Sequence, residues 1–330
     1  VSFLHRLAHR SKDLLFVPGT ERIWLRSMRG KILCLLYHRV DEPGRIGFLD
    51  AFGAPAIAPD ALASELQFLK DLGARFMTFR DLRAGEFPAA SEFGVIVSFD
   101  DGFRDNYTPG LDVLEATGIQ GVIFQSTALV EATTLIWEHA LYWYWNQPDM
   151  ARALTELAQQ RLPTTRGASG SKLLHLLRAQ VPPNVLQELL VSMSERFGTA
   201  PQLASLAQQL YPRRSDLLRA TRGGHELGSH GHHHYMRSSL DAGAFESELR
   251  DSANFLEGFS GERPKAFSYP FNDYVPAETR LCSQYFEQVA TVDAAPICRG
   301  ADPLALPRFT WPGVARSGLR RRRWLLTGRI

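Results

Sequence analysis

Apolar runs of strand length, each ending in a polar cluster and separated by helical patterns, constrain this chain more than any other feature. "KILCLLYHRV" (residues 31–40) and "GVIVSFDDG" (94–102) read as strands buried on both faces, since neither shows polar alternation until its end. Between them "DALASELQFLKDLGARFMTF" (60–79) reads as an amphipathic helix, a stop at Gly73 and a short strand. "GLDVLEATGIQGVIFQSTALV" (110–130) repeats helix, glycine and strand. "HELGSH", "KAFSYPF" and "FEQVATVD" are later strands, with "GAFESELRDSANFLEGFSG" a helix between the first two. Such alternation implies an α/β fold, a parallel sheet covered by helices, doubly wound or closed as a barrel. Its chemistry belongs where strands end.

From 134 to 219 the pattern changes. "WEHALYWYWNQ", "DMARALTELAQQ", "SKLLHLLRAQ", "NVLQELLVSMSERF" and "LASLAQQLY" are helical, with no strand candidate among them, and read as a helical insertion. Its aromatic cluster, Trp137, Tyr142, Trp143, Tyr144 and Trp145, suits stacking on sugar rings, but packing against the parent domain is the expected use. A net charge of +2 gives no reason to expect nucleic acid. Three cysteines, Cys34, Cys282 and Cys298, argue against a disulfide scaffold or a thiolate zinc site. The segment 1–31 and the tail 316–330 are basic and carry interleaved apolar residues. Peripheral contact with an anionic membrane surface would suit both, although packing and solvation are the ordinary fates of such ends.

Three short motifs carry the chemistry. In "SFDDG" two adjacent aspartates, Asp100 and Asp101, end a strand. Such a pair either caps the next segment or is held ionised by something positive. "GHELGSHGHHHYM" (224–236) holds five of the ten histidines. His230 and His234, four apart, converge if the segment turns helically, as metal-binding pairs do. A divalent cation would explain both motifs, taking one aspartate as ligand and leaving the other as a base. Two imidazoles and one carboxylate leave positions open for water and substrate. In "AFSYPFNDY" (266–274), Pro270 ends a strand and the turn frees backbone N–H groups that would stabilise an oxyanion.

The order "SFDDG", "GSHGHHH", "FSYPFN" resembles the polysaccharide deacetylase family, the NodB-homology carbohydrate esterases, which remove acetyl groups from sugar polymers. The resemblance implies a distorted (β/α) barrel over 32–133 and 220–315, interrupted by the helical insertion at 134–219. It implies Asp100 as general base, Asp101, His230 and His234 as metal ligands, and the Phe271 N–H as oxyanion donor. Zinc suits that donor set, as would cobalt, nickel or iron. Two positions depart from the pattern. The third-motif arginine that orients the base in many members is Ser268 here; Arg308 in "LPRFTW" is a substitute from a neighbouring strand or a structural arginine. No histidine comes after His234 to serve as the late general acid, and His38, at the end of the first strand, resembles the acid of a branch that includes exported poly-N-acetylglucosamine deacetylases.

The expected function is metal-dependent removal of acetyl groups from N-acetylated amino sugars of a surface polysaccharide, its precursor or a glycolipid. An acetylated carbohydrate is the expected partner, and a cytoplasmic location, peripheral to the inner membrane face, goes with the absence of an evident export signal. Two alternatives stand beside it: hydrolysis of cyclic amides or imides on the same fold, and glycan binding without turnover.

Overall fold

The computed structural model describes residues 25–275 and 278–310. Most of the basic N-terminal segment and all of the basic tail therefore lie outside the described residues. Among those described, no helix is long and apolar enough to cross a membrane.

The expected strands form one parallel sheet. It runs through β1 (Ile32–Tyr37), β5 (Phe93–Phe99), β6 (Val122–Gln125), β7 (Glu226–Ser229), β8 (Ala266–Ser268) and β9 (Gln288–Thr291), with β4 (Ala74–Met77) also on β5. A small separate ladder joins β2 (Arg39–Val40) to β3 (Ala56–Ile57). The last strand closes the figure. β10 (Leu306–Pro307) pairs with β9, β11 (Phe309–Thr310) pairs with β1, and only Arg308 separates them. One stretch of chain thus joins the two edges of the sheet. The result is the nearly closed (β/α) barrel that the resemblance implies.

Strand side chains alternate between two environments, as period 2 requires. Leu33, Leu35, Val95, Val97, Phe99 and Ile123 pack with Leu62, Leu66 and Leu69 of the helix Pro59–Asp71 and with Leu111 and Leu114 of the helix Leu111–Ala116. Ile32, Cys34, Ile96, Val122, Phe124, Ala266, Ala290 and Leu306 instead meet one another inside the barrel. Cys34 is there as the small hydrophobe its context suggested, its thiol pushed up to about 12 by burial. Strand register carries the inward set onward. Cys34 lies beside Ile96 and Leu36 beside both Ser98 and Thr310. The next inward positions are therefore His38 on the first strand's line, Asp100 on the fifth and Arg308 between Leu306 and Thr310.

From Trp137 to Arg222 every strand-length or longer element is helical. Leu154, Leu173, Leu177, Leu189 and Met193 build a core of their own, continuous with Phe48, Leu49 and Phe103. Phe48 and Leu49 belong to the helix Gly47–Phe52, and Phe103 lies just past the paired aspartates, so the insertion packs over the strand ends. That placement makes it a wall of whatever site lies there.

Candidate active site

Asp100 and Asp101 serve different partners because the chain turns between them. The Asp100 N–H still donates to Tyr37 O at 2.9 Å, prolonging the ladder. Asp101 then takes φ 70° and Gly102 φ 77°. A Cβ on Gly102 would lie 2.2 Å from Gln125 Oε1, so the third letter of "DDG" answers both a left-handed backbone and a close approach.

The Asp100 carboxylate points into the barrel and is 3% exposed. Arg308, with no exposed surface, grips it with both arms: Nη1 donates to Oδ1 at 2.7 Å and Nη2 to Oδ2 at 2.8 Å. Ser268 Oγ donates to Oδ2 at 3.2 Å and accepts from Arg308 Nη2 at 2.5 Å. Ser98 Oγ accepts from Nη1 at 3.2 Å. Burial pushes the carboxyl up, but Arg308 and then His230 outweigh it and hold it below the ordinary range. Arg308, left between two readings by the sequence, reaches Asp100 from the closing strand, and Ser268 bridges the two.

Asp101 faces the histidines. Its Oδ1 lies 3.1 Å from His234 Nε2 and 3.4 Å from His230 Nε2. The three buried residues can place one ligand atom each within 4.8 Å of one another. The path differs from the helical turn expected of H-x-x-x-H. Residues 230–236 form an irregular loop in which Gly231 (φ 72°) and His234 (φ 60°) are left-handed. The rings converge because β7 ends at Ser229 and the loop folds back, with the His230 and His234 ring centres 5.0 Å apart.

Each ring is oriented from behind. His230 Nδ1 lies 2.7 Å from Ser268 O, which can only accept, so the proton sits on Nδ1 and Nε2 is left for a ligand. His234 Nδ1 lies 2.5 Å from Glu138 Oε2. Burial works against charge on His234, but Glu138 and Asp101 overcome it and push its pKa up to about 10. Burial likewise opposes ionisation of Asp101, which His234 and His230 nevertheless hold well below the carboxylate range. This is a place built to hold positive charge. Two Nε2 atoms and a carboxylate, with both rings backed by outer hydrogen bonds, fit a divalent cation, which would replace the proton on His234.

A cavity of about 230 Å³ opens onto this cluster and is lined by all six residues expected at the site: His38, Asp100, Asp101, His230, His234 and Phe271. Phe271 has φ 59° in the turn after β8, and its ring centre is 4.7 Å from that of His234. The backbone at His38 is fixed by its surroundings. Its neighbour Arg39 is buried and meets Asp41 at 2.7 Å, Asp105 at 3.1 Å and Asp50 at 3.4 Å, while Asn106 Nδ2 donates to His38 O at 2.6 Å. His232 and His233 are turned elsewhere, to Thr127 Oγ1 at 2.6 Å and Glu248 Oε1 at 2.7 Å.

Sequence reasoning missed the insertion's share. Glu138, His139 and Tyr142 from the helix Trp137–Trp145 and Arg178 from the helix Gly170–Ala179 also line the cavity. Glu138 and His139 are an unusual polar pair in an otherwise hydrophobic and aromatic helix, and that was the available signal. His139 is buried against Phe103, with Nδ1 2.8 Å from Tyr211 Oη, and burial presses its pKa down to about 4.

The comparisons with known proteins agree with this geometry. A family model described as polysaccharide deacetylase matches residues 193–285, which include the histidine loop and the "FSYPFN" turn. The fold is similar to that of BC0361, a polysaccharide deacetylase from Bacillus cereus, at 15% identity and a TM-score of 0.58, covering 90% of this chain and 69% of that one. The Streptococcus pyogenes deacetylase PplD gives the same identity and score, covering 90% of this chain and 99% of that one. IcaB from Ammonifex degensii is 18% identical with a TM-score of 0.56, covering 90% and 97%. No curated protein matches. Fold, motif order and the partial family match all point one way: the chain has the nearly closed (β/α) barrel of these deacetylases, and its histidine loop and "FSYPFN" turn lie in the stretch that is similar to the polysaccharide deacetylase family.

Proposed function

We propose that the protein is a metal-dependent hydrolase that removes the acetyl group from an N-acetylated amino sugar. The observation that carries this reading is the pairing, in one cavity, of a cation-binding set (Asp101, His230, His234) with a separate carboxylate, Asp100, held ionised by Arg308. A binding module has no need of that second carboxylate.

A divalent cation, zinc being the expected one, would supply Lewis-acid polarisation of the acetyl carbonyl and of water. The chain's own groups do the rest. Asp100, ionised at neutral pH, accepts a proton from the attacking water. The Phe271 N–H, at a turn whose other hydrogen bonds run from Asn272 to Tyr269 and from Asp273 to Pro270, is the oxyanion donor at the cavity mouth. His38 delivers a proton to the departing nitrogen, without which an amide anion leaves too poorly. Acetate and a free amine result, and the proton taken from water is balanced by the one given to nitrogen.

At about 230 Å³ the cavity is smaller than ordinary ligand sites, which run from about 300 Å³ upward. It suits one sugar residue more than a long stretch of polymer. The same size keeps the cyclic amide or imide reading in play. A panel of N-acetylated glycans and cyclic imides, assayed for acetate release and ring opening, separates the two. Asp100→Asn should abolish acetate release while retaining metal; undiminished release from that variant rejects the base assignment.

A further inference from the structure

Resting on the deacetylase reading, we infer that the substrate carries an anionic oxygen group, a carboxylate or a phosphate, which Arg178 binds. Three arginines, at the site or beside it, differ in how their charge is met. Arg39 is surrounded by Asp41, Asp50 and Asp105, and Arg308 is paired with Asp100. Arg178 lines the cavity, yet no carboxylate among the described residues lies within ion-pair distance of it. The side-chain hydrogen bond it makes among the described residues runs from Nη1 to the Tyr142 hydroxyl at 2.7 Å; its buried Nε, like that of Arg308, has no partner there, so the distinction of Arg178 is the missing carboxylate.

A charged group with an unspent donor inside a cavity is costly unless something takes it up. Its geometry is prepared for a ligand. The guanidinium carbon lies 5.8 Å from the centre of the Tyr142 ring and 5.6 Å from that of Phe271, so two aromatic faces restrain it. Phe271 in turn touches His234, with ring centres 4.7 Å apart. Arg178 is therefore one aromatic ring removed from His234, and both line the same cavity. A planar fork with free N–H groups matches the oxygens of a carboxylate or phosphate, and substrate charge would complete its pairing. Helix-dipole compensation alone does not account for the residue. It does sit in the last turn of its helix, but a side chain there for that purpose has no reason to turn into the cavity.

The test compares N-acetylglucosamine with its 1-phosphate, its 6-phosphate and its 6-carboxylate, using zinc-loaded protein at low ionic strength. At least one anionic probe should exceed the neutral sugar in kcat/KM by about tenfold or more. In Arg178→Gln that ratio should collapse towards one, chiefly through KM, and Arg178→Lys should restore part of it. Reading a ratio within each variant cancels damage common to all substrates. Which probe wins distinguishes phosphate from carboxylate. Equal efficiency on all four probes, or a ratio that survives Arg178→Gln, overturns the anion site and leaves the deacetylase reading intact. Calorimetric binding of the same probes to Asp100→Asn supplies the converse separation. Arg178-dependent anion binding with no acetate released from any probe by the parent would sustain the site and reject the deacetylase reading. Neither turnover nor such binding would reject both.

Discussion

Replacing Arg308 by methionine removes the guanidinium and leaves Asp100 where it is, 3% exposed and facing a closed barrel. Two charge-assisted hydrogen bonds, at 2.7 and 2.8 Å, disappear, and Ser268 Oγ at 3.2 Å becomes the remaining donor to the carboxylate. Breaking a buried pair by removing one partner typically costs about 3–5 kcal/mol, because the survivor is left uncompensated. The sign with pH comes from the direction of the shift. In the parent, Asp100 lies below its ordinary 3.8, so its pairing contributes stability above that value and loses it as pH falls through the lower folded pKa. In the variant burial stays while the Arg308 contribution is gone, so the carboxyl moves up from its place in the parent, with His230 left as the chief opposing charge. The orphan then penalises the fold at neutral pH, and the penalty shrinks as acid protonates it. Urea unfolding at about pH 7.5 and about pH 5 should thus show a smaller difference between variant and parent at the lower pH. Adding Asp100→Asn should recover most of the lost stability without restoring acetate release. A loss under about 1 kcal/mol near neutral pH, or a double variant no more stable than the single one, would refute the reasoning.

The other expectations concern the same site. His38→Ala should lower acetate release by about 10²- to 10⁴-fold with metal content unchanged, and turnover at the parent's rate would remove His38 from the proton path. Glu138→Gln removes the carboxylate behind His234 Nδ1, so zinc affinity, read by competition with a chromogenic chelator, should fall about 10- to 100-fold. Gly102→Ala meets both a φ of 77° and an atom 2.2 Å away, and should cost more than about 1 kcal/mol by denaturant unfolding; a neutral result would mean that Gln125 yields freely.

How much of this was legible in the sequence depends on how local each cause is. The two aspartates, the two histidines and the "SYPF" turn each lie at a strand end, and strand ends are visible as the place where apolar runs stop. His38 was legible for the same reason. Arg308 was left between two readings because "LPRFTW" is short and contains proline, a weak strand signal. The alternation Leu306, Arg308, Thr310 held the answer, since an inward leucine requires the arginine two positions on to point inward too. The histidine loop was expected to wind helically because spacing alone cannot tell a helical turn from a loop with left-handed residues at Gly231 and His234. For Glu138 the polar pair with His139 was a faint signal, and for Arg178 there was none, for another reason. Which face of an insertion helix looks into a cavity is decided by tertiary packing, here against Leu49, Phe103 and Phe271.

The closing strand has a consequence for when this molecule becomes competent. Arg308 stands at the seam where the first and last edges of the sheet are stitched together. A nascent chain still short of that residue already holds both aspartates and both imidazoles, yet lacks the guanidinium that meets the Asp100 carboxylate. Closing the cylinder and pairing the Asp100 carboxylate with Arg308 are therefore brought about by the same short stretch of chain.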